Sequence, residues 1–100
     1  MNRTSRKQKA EAVRQVFKIF PEALRAAGRA VLLGLRTSVP GAWRGQSITD
    51  HLIESSAHLK AYVSGEVDLP HLALATAAML RALQLEQEGK EFPVKKETVQ

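Results

Sequence analysis

Apolar residues recur at three- and four-residue steps through most of this 100-residue chain. Such spacing places apolar side chains on one face of an α-helix. Pro21 interrupts the pattern, because proline suits the first turn of a helix and not its interior. Pro40-Gly41 is a turn dipeptide, and Gly65 can adopt the left-handed conformation that ends a helix. The sequence therefore predicts an all-α fold, a small bundle of about four helices over about residues 8–20, 21–36, 47–64 and 69–88.

Capping signals support the starts of the last two helices. Ser47 and Asp50 form a capping-box pattern, and Asp68 with Pro70 predicts an N-cap and a first turn. We expect one helical domain over residues 8–89, a disordered basic tail over 1–7 and a flexible C-terminal tail over 90–100. The apolar faces of the first, second and fourth helices comprise Ala12, Val13, Val16, Phe17 and Phe20, then Leu24, Ala27, Val31, Leu32 and Leu35, and finally Leu72, Ala75, Met79, Leu80 and Leu83. The expected buried face of the third helix comprises Ile48, Leu52, Ser55, Leu59 and Tyr62.

Composition excludes several classes of protein. The chain has no cysteine, so it has neither disulfides nor a thiolate zinc site. The longest apolar run, residues 30–35, is far too short to cross a bilayer, and the basic start is not followed by a signal-peptide core. We therefore expect a cytoplasmic protein that does not enter the membrane. Glycine-rich phosphate loops, HExxH and GxSxG are absent, and nothing indicates an organic cofactor.

Charge divides the chain into two halves of opposite sign. Residues 1–46 hold ten Lys or Arg against two Glu, whereas residues 47–100 hold five basic residues against eight acidic ones. A basic half can attract nucleotide phosphates, nucleic acid or an acidic protein face, and it can equally serve to complement the acidic half. Arg25, Arg29 and Arg44 are the candidate phosphate or polyanion contacts.

All three histidines fall between residues 51 and 71. His51, Glu54 and His58 share one stripe of the third helix and could supply metal ligands. The segment HLKAYVSGEVDLPH then places Glu66, Asp68 and His71 at the hinge before the fourth helix. Carboxylates there could hold Mg²⁺ or Mn²⁺, and the helix start could bind phosphate. The alternative is structural, with Asp68 as the helix cap.

Residues 43–88 resemble a small helical domain found mainly in phage proteins, the N-terminal domain of dATP/dGTP diphosphohydrolases. The resemblance rests on Trp43-x-Gly45, on the HLKA and GEVD segments from His58 and Gly65, and on the HLALA segment from His71. It implies a metal-dependent dNTP site with His58, Glu66, Asp68 and His71 as metal ligands. Two features depart from the family: a shorter loop between Asp68 and His71, and Leu74 where a second histidine is usual.

Two functions follow from these observations. The first is metal-dependent nucleotide binding or hydrolysis, as a nucleotide pyrophosphohydrolase, in the host cytoplasm if the chain is phage-encoded. The second is a non-catalytic phage protein that modulates a host protein or a nucleic-acid complex through its amphipathic helices and basic half. A homo-oligomer is expected in either case, because a limited core buries more surface by pairing.

Overall fold

The structure is a computed structural model that describes residues 5–37 and 39–89. Its helices are α1 (Arg6–Ile19), α2 (Pro21–Thr37), α3 (Ile48–Val63) and α4 (His71–Gln87), and a short 3₁₀ turn spans Ala42–Gly45. These residues contain four α-helices and no strand, so the all-α prediction is confirmed. Every predicted helix end lies within two residues of the observed one. Most of the two predicted tails, residues 1–4 and 90–100, lies outside the described residues, and Arg6 and Lys7 belong to α1.

The helices begin and end where local chemistry favours it. The Ser47 hydroxyl accepts from the Asp50 backbone N–H at 3.0 Å, and the Asp50 carboxylate accepts from the Ser47 N–H at 3.1 Å. This is the predicted capping box. Ser5 and Gln8 make the same reciprocal pair at the start of α1. Gly65 follows α3 with φ +85°, the left-handed conformation predicted for it.

The start of α4 differs from the prediction. Pro70 is its N-cap, no side chain caps it, and the helix begins at His71 and not at residue 69. The Asp68 carboxylate instead accepts a hydrogen bond from Nε2 of His71 at 3.0 Å. The prediction that Asp68 caps α4 was therefore wrong, because the imidazole of His71 competes with the backbone N–H groups for the Asp68 carboxylate.

The core lies between α3 and α4, with α2 packed against α4. Eight apolar residues are buried, and six of them are alanines. The predicted apolar faces are buried at Ala27, Ile48, Ser55 and Ala75. The longer side chains predicted on the same faces of α2 and α4 include six that stay about half exposed, namely Leu32, Leu35, Leu72, Met79, Leu80 and Leu83. Small residues let helix axes approach closely, so the interface forms along the alanine rows. The buried apolar residues are Ala27, Ala30, Ile48, Ala75, Ala77, Ala78, Ala82 and Leu85.

Helix α1 buries none of its residues. Phe20 alone separates it from α2, and hydrogen bonding continues across the junction. The Phe20 N–H donates to the Val16 carbonyl and the Leu24 N–H donates to the Phe20 carbonyl, each at 3.0 Å. Val13, Val16, Phe17 and Phe20, which belong to the predicted apolar face of this helix, are therefore all largely exposed, since α1 buries none of its residues against the part of the chain that the structure describes.

Among residues 5–37 and 39–89, none of the helices has both the length and the apolar character needed to span a membrane.

Candidate metal centre

Four polar side chains meet where α3 turns into α4. His58 comes from the last turns of α3, Glu66 and Asp68 from the connecting segment, and His71 from the first position of α4. Nε2 of His71 lies 3.0 Å from a carboxylate oxygen of Asp68 and 3.9 Å from one of Glu66. Nδ1 of the same ring lies 2.9 Å from Nδ1 of His58. The four residues singled out in the sequence are thus brought together around one imidazole.

The geometry of three of these residues suits a single cation. One ligand atom each from Glu66, Asp68 and His71 lies within 4.8 Å of the others. The His71 side chain is only 7% exposed, whereas both carboxylates are mainly exposed, so the group is fixed on one side and open to solvent on the other. Carboxylates suit Mg²⁺ and Mn²⁺, while an imidazole nitrogen shifts the preference towards transition metals. This donor set fits Mn²⁺ better than Mg²⁺.

His58 occupies the position of an outer partner to His71. Their rings lie 5.1 Å apart between centroids, tilted by 37°. Since two bare ring nitrogens would repel each other, one of the two Nδ1 atoms must carry the proton that joins them. With a cation on Nε2, His71 would donate its Nδ1–H to His58, the arrangement that orients many metal-binding histidines. With no cation, the Nε2–H of His71 donates to Asp68, and the Nδ1–H of His58 donates to Nδ1 of His71.

The carboxyl group of Asp68 has a lowered pKa. The hydrogen bond from His71 holds the pKa of Asp68 below its ordinary value of 3.8. Asp68 therefore stays ionised at neutral pH, as a cation ligand must.

The other two members of the predicted histidine stripe have structural partners. His51 is fully buried, and its Nε2–H donates to the Trp43 carbonyl at 2.9 Å. Its Nδ1 accepts from Nε of Arg81 at 3.2 Å, and Arg81 also donates to Glu54 at 2.9 Å. His51 and Glu54 consequently serve to join α3 to the 3₁₀ turn and to α4. Within the described residues, neither belongs to the group with metal-ligand spacing.

Sequence reasoning missed Arg81. It is the only basic residue of α4, and it lies in the middle of an otherwise apolar stretch. A single arginine in such a place needs acidic or carbonyl partners when it is buried, and that signal could have identified it. Arg81 also lines a cavity of about 910 Å³ between α2, the 3₁₀ turn and α4.

The three predicted phosphate contacts are spread over the molecule. Arg25 is exposed and hydrogen-bonded to Glu22. Arg44 stacks on Trp43 and binds Glu88 at 2.7 Å, at the far end of α4 from the hinge. Arg29 lines a depression of about 500 Å³ together with Arg36 and with Pro70, the residue before His71. Of the three, Arg29 is the one placed beside the hinge, and Arg36 joins it there.

Comparison with known proteins adds no relative: no protein-family model matches the chain, and no curated protein or solved structure shows significant similarity to it.

Proposed function

We propose that this protein binds nucleotides through a divalent cation held at the α3–α4 hinge, and that it acts as a nucleotide pyrophosphohydrolase of the dNTP-directed kind in the cytoplasm. The observation that carries the proposal is the convergence of Glu66, Asp68 and His71 within 4.8 Å. Two exposed carboxylates beside a buried imidazole form an open donor set, which leaves room for ligands from a substrate. The phage-domain resemblance supports the same assignment.

Each residue of the group has a distinct part in the proposal. Glu66, Asp68 and His71 hold the cation, and His58 fixes the ring of His71 through its Nδ1 atom. A bound Mn²⁺ or Mg²⁺ would neutralise phosphate charge and polarise a water molecule. The chain's own contribution is to present two carboxylates on a segment that a left-handed Gly65 and Pro70 restrain.

Arginines of α2 provide the complementary charge for phosphates. Arg25, Arg29 and Arg36 are spaced four and seven residues apart, so they form one row along α2. The last two line the depression next to Pro70. A polyphosphate bound at the hinge would therefore meet guanidinium groups, which recognise phosphate oxygens in a bidentate manner. Arg44 is assigned no phosphate in this arrangement, since it already binds Glu88.

Calorimetric titration tests the proposal in two steps. Mn²⁺ is titrated into the protein first, and dGTP or dATP is titrated with and without Mn²⁺ afterwards. We expect Asp68→Asn and Glu66→Gln to weaken Mn²⁺ binding by about tenfold or more, and His58→Phe to weaken it by about tenfold through its outer position. Arg29→Gln should weaken nucleotide binding and leave Mn²⁺ binding unchanged.

Matched variants distinguish the site from general charge effects. Glu86→Gln removes an exposed carboxylate of α4 far from the hinge, and Arg14→Gln removes an exposed guanidinium of α1. Neither should alter binding. Metal-dependent nucleotide binding would justify an assay for pyrophosphate release. A folded sample that binds Mn²⁺ but no nucleotide would refute the nucleotide function, and one that binds neither would refute the metal centre too.

The second candidate function, a non-catalytic interaction protein, is favoured by one observation. The apolar side chains of α1 are exposed over the whole length of the helix. If the hinge binds no nucleotide, this surface becomes the functional one, and a host protein or a nucleic-acid complex is the class of partner to test. Retention of host proteins that is lost on changing α1 and kept on changing the hinge would support it.

A further inference from the structure

Within residues 5–37 and 39–89, nothing covers the apolar stripe of α1. Val13, Val16, Phe17 and Phe20 recur at three- and four-residue steps and are all largely exposed. Two antiparallel helices need a connection of about two to five residues, and only Phe20 separates α1 from α2. An isolated helix of 14 residues is marginal in water. The described residues thus leave the apolar stripe of α1 open to another molecule.

A second exposed apolar stripe lies on α4. Leu72, Met79 and Leu83 are spaced seven and four residues apart, so they share one line along the helix. Each is about half exposed, although α4 is otherwise the most buried helix of the fold. The proposed metal centre does not use this stripe. The chain thus carries two apolar helical surfaces that have no partner among the described residues.

The segments that carry these two stripes differ in net charge. Helix α1 holds five Lys or Arg against Glu11, and Lys7, Arg14 and Lys18 share one side of the helix. Residues 47–89, which include α3 and α4, hold six acidic residues against two basic ones. Such complementarity favours contact between an α1 and an α3–α4 surface over contact between two α1 helices, whose basic rows would repel each other.

We propose that the occupant of both stripes is a second copy of this chain. In the resulting dimer, α1 of each copy packs on the Leu72–Met79–Leu83 stripe of the other, in a two-fold symmetric exchange. The interface contains two equivalent contacts, each with an apolar centre and a charged edge. This inference goes beyond the proposed function and does not depend on it, because its contacts lie on the α1 and α4 stripes and Glu66 and Asp68 enter only as part of the net charge of residues 47–89.

The test measures the mass of the purified full-length protein by sedimentation equilibrium or by light scattering after gel filtration. We expect the wild-type protein to be a dimer. Phe17→Glu on α1 and Met79→Glu on α4 should each weaken self-association by at least about tenfold. Both side chains are exposed in the single chain, so far-UV circular dichroism should show that α2–α4 remain folded.

Ile19→Glu is the matched control on α1. Ile19 is 60% exposed and Phe17 is 63% exposed, but Ile19 lies off the stripe. The control should leave the dimer intact. A loss of association as large as that of Phe17→Glu would show that added charge alone is responsible and would overturn the proposed contact.

Mixing the two monomeric variants distinguishes the exchange from other arrangements. The Phe17→Glu copy keeps an intact α4 stripe and the Met79→Glu copy keeps an intact α1, so an equal mixture should regain heterodimers through one contact. Pairing of α1 with α1 predicts no recovery, and that result would overturn the proposal. So would a monomeric wild-type protein that binds anionic phosphatidylserine vesicles in a Phe17-dependent manner, since basic amphipathic helices also bind membrane surfaces.

Discussion

His71 meets a different kind of partner at each of its ring nitrogens. Nε2 faces the carboxylates of Asp68 and Glu66, and Nδ1 faces the ring of His58. This single residue, mostly buried at the start of α4, therefore joins the connecting segment to α3 through its two ring nitrogens.

The shifted pKa of Asp68 predicts a pH-dependent contribution to stability. Its folded-state pKa lies below the ordinary value of 3.8, because His71 donates a hydrogen bond to the carboxylate. The stabilisation is therefore fully present above the ordinary value and is lost as the pH falls through the lower, folded-state value. We expect Asp68→Asn to unfold at lower urea concentration than wild type, with a difference that narrows from about pH 5 to about pH 3.

These unfolding measurements need a chelator, so that metal binding does not contribute. Glu86→Gln is the control, and its difference from wild type should stay small throughout. A gap between Asp68→Asn and wild type that remains constant over this pH range would contradict the stabilising role of the hydrogen bond.

At the level of the helices, polar contacts between side chains and backbone help to hold α3 against α4. Ser55 is buried in α3 and its hydroxyl donates to the Ala75 carbonyl of α4 at 3.0 Å. The His51, Arg81 and Glu54 contacts continue along the same pair of helices. Among the described residues, no buried side-chain nitrogen or oxygen lacks a hydrogen-bond partner. The α3–α4 hairpin is thus specified by directional bonds as well as by its alanines.

Two equivalent capping boxes should have unequal effects on global stability. Ser47→Ala removes the cap of α3, which carries core residues, and should lower the free energy of unfolding by about 1 kcal/mol. Ser5→Ala removes the matching cap of α1, which buries nothing within its own chain. In the Phe17→Glu background, Ser5→Ala should reduce helical content without changing the urea midpoint. Equal midpoint shifts from both changes would contradict the separation of α1 from the core.

Helix positions could be predicted from the sequence because their signals are local. Proline at residue 21, the Ser47–Asp50 pair and the left-handed Gly65 each act on neighbouring backbone groups. The buried face of α3 was predicted at Ile48 and Ser55. The buried face of α4 was predicted only at Ala75, because alanine and leucine stripes run side by side on that helix and tertiary packing selects between them. The residues of the hinge cluster were predicted from the sequence. The hydrogen bond between Asp68 and His71 was not, and it replaces the predicted capping of α4 by Asp68. Arg81 was missed because its partners lie on other elements.

For the molecule as a whole, the exchange of α1 would make stability depend on protein concentration. A dimer that is more stable than its separated chains unfolds at a temperature that rises with concentration. We expect the wild-type melting temperature to increase from low micromolar to near-millimolar protein, and that of Phe17→Glu to stay constant. Differential scanning calorimetry measures both. A wild-type melting temperature independent of concentration would contradict the dimer.

The alanine-rich core has a calorimetric consequence. Alanine removes little apolar surface from water, and the heat capacity change of unfolding follows the apolar surface that becomes exposed. A core in which six of eight buried apolar residues are alanine should therefore give a small heat capacity change and a flat dependence of stability on temperature. We expect a correspondingly low enthalpy of unfolding and a broad melting transition. Each kcal/mol of stabilisation by a bound ligand should then raise the melting temperature by about 4–8 °C or more. Ligand binding to this chain can therefore be detected from the melting temperature alone.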